Sequence, residues 1–214
     1  MGFLYYLALA SALIPFIAGL ILYKNLTTAM KFVLLLFGIG LLIEALGYYF
    51  YFFTKYGSNI WLFHFYTLIE CSLLIYVFSH WQKNMKLERI FHLSIPGFAV
   101  LWIGAKFFFE DFNQPDNYTA SLECLLLVGV SFRTLYVVNK EQVKTIFQEP
   151  RLWIGAAVLI YFSANLVTFA LGNIIVNWGF HHAAVNIIAN LLYAGGFLCL
   201  RPRLNYGGLL SSAL

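Results

Sequence analysis

Between Phe32 and Phe53 the chain reads FVLLLFGIGLLIEALGYYFYFF, an unbroken apolar run whose one charged residue is Glu44. About 20 predominantly apolar residues carry an α-helix across a bilayer, whereas a soluble core helix of this length would show a polar face. A membrane β-barrel strand would alternate over about ten residues, and this run does not alternate. The stretch therefore decides the fold class. It is a transmembrane helix, and it is not alone.

Working outward, six more stretches qualify, so the expected spans are Phe3–Tyr23, Phe32–Phe53, Ile60–Trp81, Ile90–Phe109, Thr119–Val138, Leu152–Gly172 and Phe180–Leu200. The connections between them hold the Lys, Asn, Gly and Pro residues that end helices. Composition agrees. Of 214 residues, 62% are hydrophobic and only 10% charged, against about 25% charged in an ordinary soluble domain. The sequence predicts an all-α integral membrane protein, a single seven-helix bundle spanning residues 1–214.

Lys and Arg fix the expected orientation, because cytoplasmic loops of membrane proteins collect them. Lys24, Lys31, Lys83, Lys86, Arg89, Lys140, Lys144, Arg151, Arg201 and Arg203 fall on one side, and Lys55 and Lys106 on the other. The N-terminus is expected outside and the C-terminus in the cytoplasm, with the plasma membrane as the expected location. No basic segment precedes the first span and no small-residue cleavage site follows it, so no cleaved signal peptide is expected. Asn117-Tyr118-Thr119 matches the glycosylation pattern on the outer side.

The residues that cost energy to insert carry the functional information. Glu44 and Glu70 are expected near the middle of the second and third spans, with Tyr66 one turn from Glu70 on the same face. Glu123, His64 and His182 are expected in the outer half. His182, Asn186 and Asn190 recur every four residues along one face of the last span, and Asn165 belongs to a similar stripe in the sixth. Lipid offers these groups no hydrogen-bond partner, so their faces should turn inward. The expectation is an outward-opening polar cavity lined by Glu44, His64, Tyr66, Glu70, Glu123, Asn165, His182, Asn186 and Asn190. The competing reading of the same residues is hydrogen-bonded glue between helices, at about 0.6 kcal/mol per bond.

Other chemistries find little support. The chain has no HxxxH, HExxH or DxxxD pattern, so no metal and no cofactor is expected. It has no GxSxG and no phosphate-cradling glycine loop, which argues against an enzyme. A net charge of +4 without a dense basic run excludes nucleic acid. Cys71, Cys124 and Cys199 all lie inside spans and read as small apolar groups. Trp102, unlike the other tryptophans, lies away from a span end and is expected to pack. Pro15 and Pro96 lie within spans and are expected to kink them without ending them.

Two stretches resemble each other. Ala45-Leu46-Gly47, Trp61-x-Phe63-His64 and Tyr76 recur as Ala170-Leu171-Gly172, Trp178-x-Phe180-His181 and Tyr193, with each Tyr fifteen residues after its Trp. That pattern would be a parallel duplication of three helices about a seventh, an architecture used by transporters. In size, orientation and repeat the chain is similar to the SWEET sugar carriers, although no proline lies in its last three spans. Rhodopsins share the outline, but the last span has no Lys to carry retinal. The best expectation is a small-molecule or proton-coupled transporter. A sensor or receptor subunit with a ligand in the outer cavity is the second expectation, and a structural or assembly role the third. Expected partners are the lipid bilayer, a small molecule or ion, and a second copy of the chain or another membrane protein.

Overall fold

The structure, a computed structural model, describes residues 3–53, 59–141, 145–170 and 178–200. Lys55, Lys144, Arg201 and Arg203 of the charge asymmetry lie outside these residues, as do Leu171 and Gly172 of the repeat. Seven α-helices follow in chain order: α1 Phe3–Ile21, α2 Thr28–Phe53, α3 Ile60–Ser79, α4 Met85–Phe108, α5 Asn117–Lys140, α6 Pro150–Ala170 and α7 Trp178–Leu198. No strand occurs among the described residues. Pro15 and Pro96 sit within α1 and α4, and both helices continue through them.

Among the described residues six helices, α1 to α6, are long and apolar enough to cross a membrane. Helix α7 falls outside that group because His181, His182, Asn186 and Asn190 dilute its apolar residues. Its length matches the others; His181 is exposed, whereas His182 and Asn190 bond to neighbouring helices.

The helices do not form an even seven-membered bundle. The main packing partners are α1 with α2, α2 with α3, α3 with α5, α5 with α6, α6 with α7 and α7 with α1. Those pairs close a ring of six. Helix α4 stands outside it, packed on α3 with a minor contact to α5. The exposed Ile90, Leu93, Val100, Leu101, Ile103 and Phe107 lie along α4, a surface suited to acyl chains. Around the ring, α1-α2-α3 is followed by α5-α6-α7 in the same circular order. This is the topology a parallel duplication joined by one extra helix would produce.

Apolar burial does not drive helices together inside lipid, so close packing must supply the contact. Glycines let the backbones approach. A Cβ at Gly195 or Gly196 of α7 would meet Trp153 or Ile154 of α6 at 2.7 and 2.6 Å. At Gly19 of α1 it would meet Leu34 of α2 at 2.7 Å and Phe197 of α7 at 3.1 Å. One end of the bundle is tied by charge. Arg151 Nη2 lies 2.7 Å from Glu141 Oε2 and Arg151 Nε 2.8 Å from Glu149 Oε1, while Lys83 reaches Glu141 at 3.0 Å. The Arg151 guanidinium, with Lys83, holds the Glu141 carboxyl below the usual carboxylate range.

Candidate functional site

Helices α3 and α5 run in the same direction, and one hydrogen bond sets their register. Thr67 Oγ1 of α3 donates to Asp116 Oδ2, just before α5, at 2.7 Å. The start of α5 is thus level with the second turn of α3. Both helices then present a Glu-Cys pair, Glu70-Cys71 and Glu123-Cys124. That recurrence is a sequence signal outside the four-residue polar stripes.

Glu70 and Glu123 lie near enough to interact electrostatically. Glu70 is partly accessible, while Glu123 is 4% exposed and its buried Oε1 has no hydrogen-bond partner among the described residues. Tyr66 donates its hydroxyl to Glu70 Oε1 at 3.1 Å, one turn back along α3. Gly40 of α2 makes room for that hydroxyl, since a Cβ there would lie 3.2 Å from it. Tyr161 of α6 and Tyr193 of α7 also lie within electrostatic range of Glu70. Phenols from α3, α6 and α7 thus lie within electrostatic range of Glu70, and that of Tyr66 bonds to it. Cys71 and Cys124 are free and buried.

The other expected residues separate into neighbouring groups. His182 Nδ1 of α7 lies 2.9 Å from Asn165 Oδ1 of α6. An amide oxygen only accepts, so this ring nitrogen carries the proton. The Tyr161 ring packs 5.9 Å from the His182 ring and links this pair to the carboxyls. Asn190 Nδ2 donates to Ser11 Oγ of α1 at 2.9 Å and to Asn186 Oδ1 at 2.8 Å. The first bond ties α7 to α1, and the second lies within α7. Glu44 Oε2 accepts from Tyr5 of α1 at 3.3 Å. Glu44 thus has its contact on the α1 side, separate from the Glu70–Glu123 pair.

His64 joins a polar cluster that the sequence reading did not anticipate. The chain after α4 turns inward, and Lys106, Glu110, Thr119 and His64 converge. The Lys106 and Glu110 side chains, one helical turn apart, are 5% and 2% exposed and form an ion pair. His64 Nε2 lies 2.8 Å from the Gln114 carbonyl, so it carries the proton and leaves Nδ1 to accept from Lys106. Trp102 packs as expected, and its Nε1 donates to the His64 carbonyl at 3.0 Å. Phe112 and Trp102 present their rings to the Lys106 ammonium at 5.9 and 5.1 Å. Glu110 Oε1 accepts from the backbone N–H groups of Tyr118 and Thr119, each at 2.8 Å. It caps α5 from the preceding loop, satisfying two donors that a helix start leaves open. Burial pushes the Glu110 carboxyl up, but the Lys106 and Thr119 donors outweigh it and hold it below the usual carboxylate range. Asn117 of the glycosylation pattern is exposed, while the Thr119 hydroxyl is buried against Glu110.

Among the described residues no group of His, Cys, Asp and Glu is arranged to hold a metal ion. Comparison with protein-family models, with curated proteins and with solved structures finds no match.

Proposed function

We propose that this membrane protein is a carrier whose Glu70–Glu123 pair loads and releases a proton during transport of a small polar solute. One observation carries the reading, a buried Glu123 oxygen that has no donor among the described residues and lies within electrostatic range of a second carboxyl group. Two carboxylates close together in a low dielectric do not both ionise, and an ionised oxygen without a partner is costly there. One proton on the pair, carried by Glu123, removes both costs. Tyr66 supports the ionised member by donating to Glu70. The two sets of three helices supply facing halves, the arrangement in which carriers place a central site.

Liposomes containing the protein and an entrapped pH-sensitive dye, given an inward proton gradient and an external mixture of sugars or amino acids, test this. Solute-dependent acidification that is lost in Glu70→Gln and Glu123→Gln is expected. Acidification that both variants retain at the wild-type rate would overturn the proposal.

A further inference from the structure

A second feature lies on the outside of the ring, between α1 and α2. A groove of about 400 Å³ is lined by Phe16 and Tyr23 from the α1 side and by Lys31, Phe32, Leu34, Leu35 and Gly38 of α2. Lys31 to Gly38 rises about 10 Å at 1.5 Å per residue, and Tyr23 back to Phe16 covers about the same length on the antiparallel partner. That is about a third of the hydrocarbon thickness of a bilayer. Gly38 keeps the deep end open, since a Cβ there would already touch the Phe16 ring at 3.5 Å.

The groove is apolar along its length and cationic at one end only. The Lys31 ammonium stands 5.0 Å over the Tyr23 ring, a cation–π contact that holds it at the mouth. No carboxylate among the described residues pairs with it. Exposed Lys24 lies in the same connection and adds positive charge. A ligand matched to this shape has an aliphatic chain and an anionic head at the depth of the helix ends.

We propose that the α1–α2 groove binds an anionic phospholipid, its phosphate on Lys31 and one acyl chain laid between Phe16, Leu35 and Gly38. A basic residue at the mouth of a groove between transmembrane helices is the chemistry that selects such headgroups. The neighbouring Tyr23 suits the same depth, where aromatic rings sit at the interface. The proposal is independent of the transport reading.

Native mass spectrometry of protein extracted with equal amounts of dioleoyl phosphatidylglycerol and dioleoyl phosphatidylcholine tests it. The wild type should retain the glycerol lipid preferentially. Lys31→Gln should lower that preference about fivefold, the factor one basic residue contributes near an anionic headgroup. Lys86→Gln removes the same charge from an exposed position on α4, away from the groove, and should leave the preference unchanged. Gly38→Leu fills the deep end and should lower retention of both lipids while far-ultraviolet circular dichroism stays unchanged. Equal retention of the two lipids by the wild type, or an equal loss in Lys31→Gln and Lys86→Gln, would overturn the proposal.

Discussion

Glu110 Oε1 accepts the Thr119 backbone N–H at 2.8 Å, and the Thr119 hydroxyl returns a second bond to Glu110 Oε2 at the same distance. The carboxylate therefore acts as the N-terminal cap of α5 from outside the helix. Its negative charge also complements the positive end of the helix dipole. Asp116, the residue in the ordinary capping position, is left to bond Thr67 instead.

The lowered Glu110 pKa fixes the sign of a pH effect. A carboxyl whose folded value lies below its unfolded value contributes stability above the unfolded value of about 4.3, and loses it as pH falls through the folded one. Thermal unfolding in detergent should show the wild type losing stability on acidification below about pH 4.5. Glu110→Gln should start about 3–5 kcal/mol lower at pH 7, because the buried Lys106 ammonium loses its counter-ion, and should have a flatter acid limb.

Removing Lys106 should be worse than removing both partners. Lys106→Met leaves the Glu110 carboxylate buried without its cation, at a cost of about 3–5 kcal/mol. The double variant with Glu110→Gln should recover a substantial part of that loss. A double-mutant cycle by chemical denaturation in mixed micelles measures it, and additive losses would contradict the pairing.

Glycine positions give a paired prediction about packing. Gly195→Ala pushes a Cβ into the Trp153 ring at 2.7 Å, where the fused ring cannot flex aside. It should cost about 1–3 kcal/mol, the usual range for overpacking. Gly97→Ala meets nothing within 4 Å on the outer helix α4 and should be neutral or mildly stabilising. Melting temperatures of the two variants check both halves.

The Lys and Arg asymmetry predicts sidedness. Single cysteines in place of exposed Asn113 and exposed Lys86, in a Cys199→Ser background, should react with a membrane-impermeant maleimide from opposite sides. Asn113 should label from the side opposite the cytoplasm. Labelling of both from one side would contradict the orientation.

The helices were legible because an apolar run long enough to cross a bilayer has few alternatives once water is absent. The stretch from Phe32 to Phe53 lies within α2, whose observed start at Thr28 adds one turn. Face assignments from helical phase also carried information, since Tyr66 and Glu70 are hydrogen-bonded and His182 meets Asn165. Which helices meet was not legible. Periodicity gives each helix a polar face but says nothing about which neighbour that face meets, so Glu44 looked equivalent to Glu70 and instead meets Tyr5. The sequence likewise gave no hint that α4 would stand outside the ring. Nothing local marks Lys106 and Glu110 for burial, because their partners His64 and Thr119 are distant in the chain or lie beyond a turn. Burial of that pair depends on the loop folding back, a tertiary event without a local signature.

The proposed carrier requires a proton shared by Glu70 and Glu123. Infrared difference spectroscopy of the reconstituted protein at stepped pH reads it directly, through the carboxyl C=O stretch. The wild type is expected to show a titrating protonated-carboxyl band that is lost or displaced in Glu70→Gln and in Glu123→Gln, and that shifts in Tyr66→Phe. A wild type with no titrating carboxyl band, or a band unchanged in both glutamine variants, would contradict it.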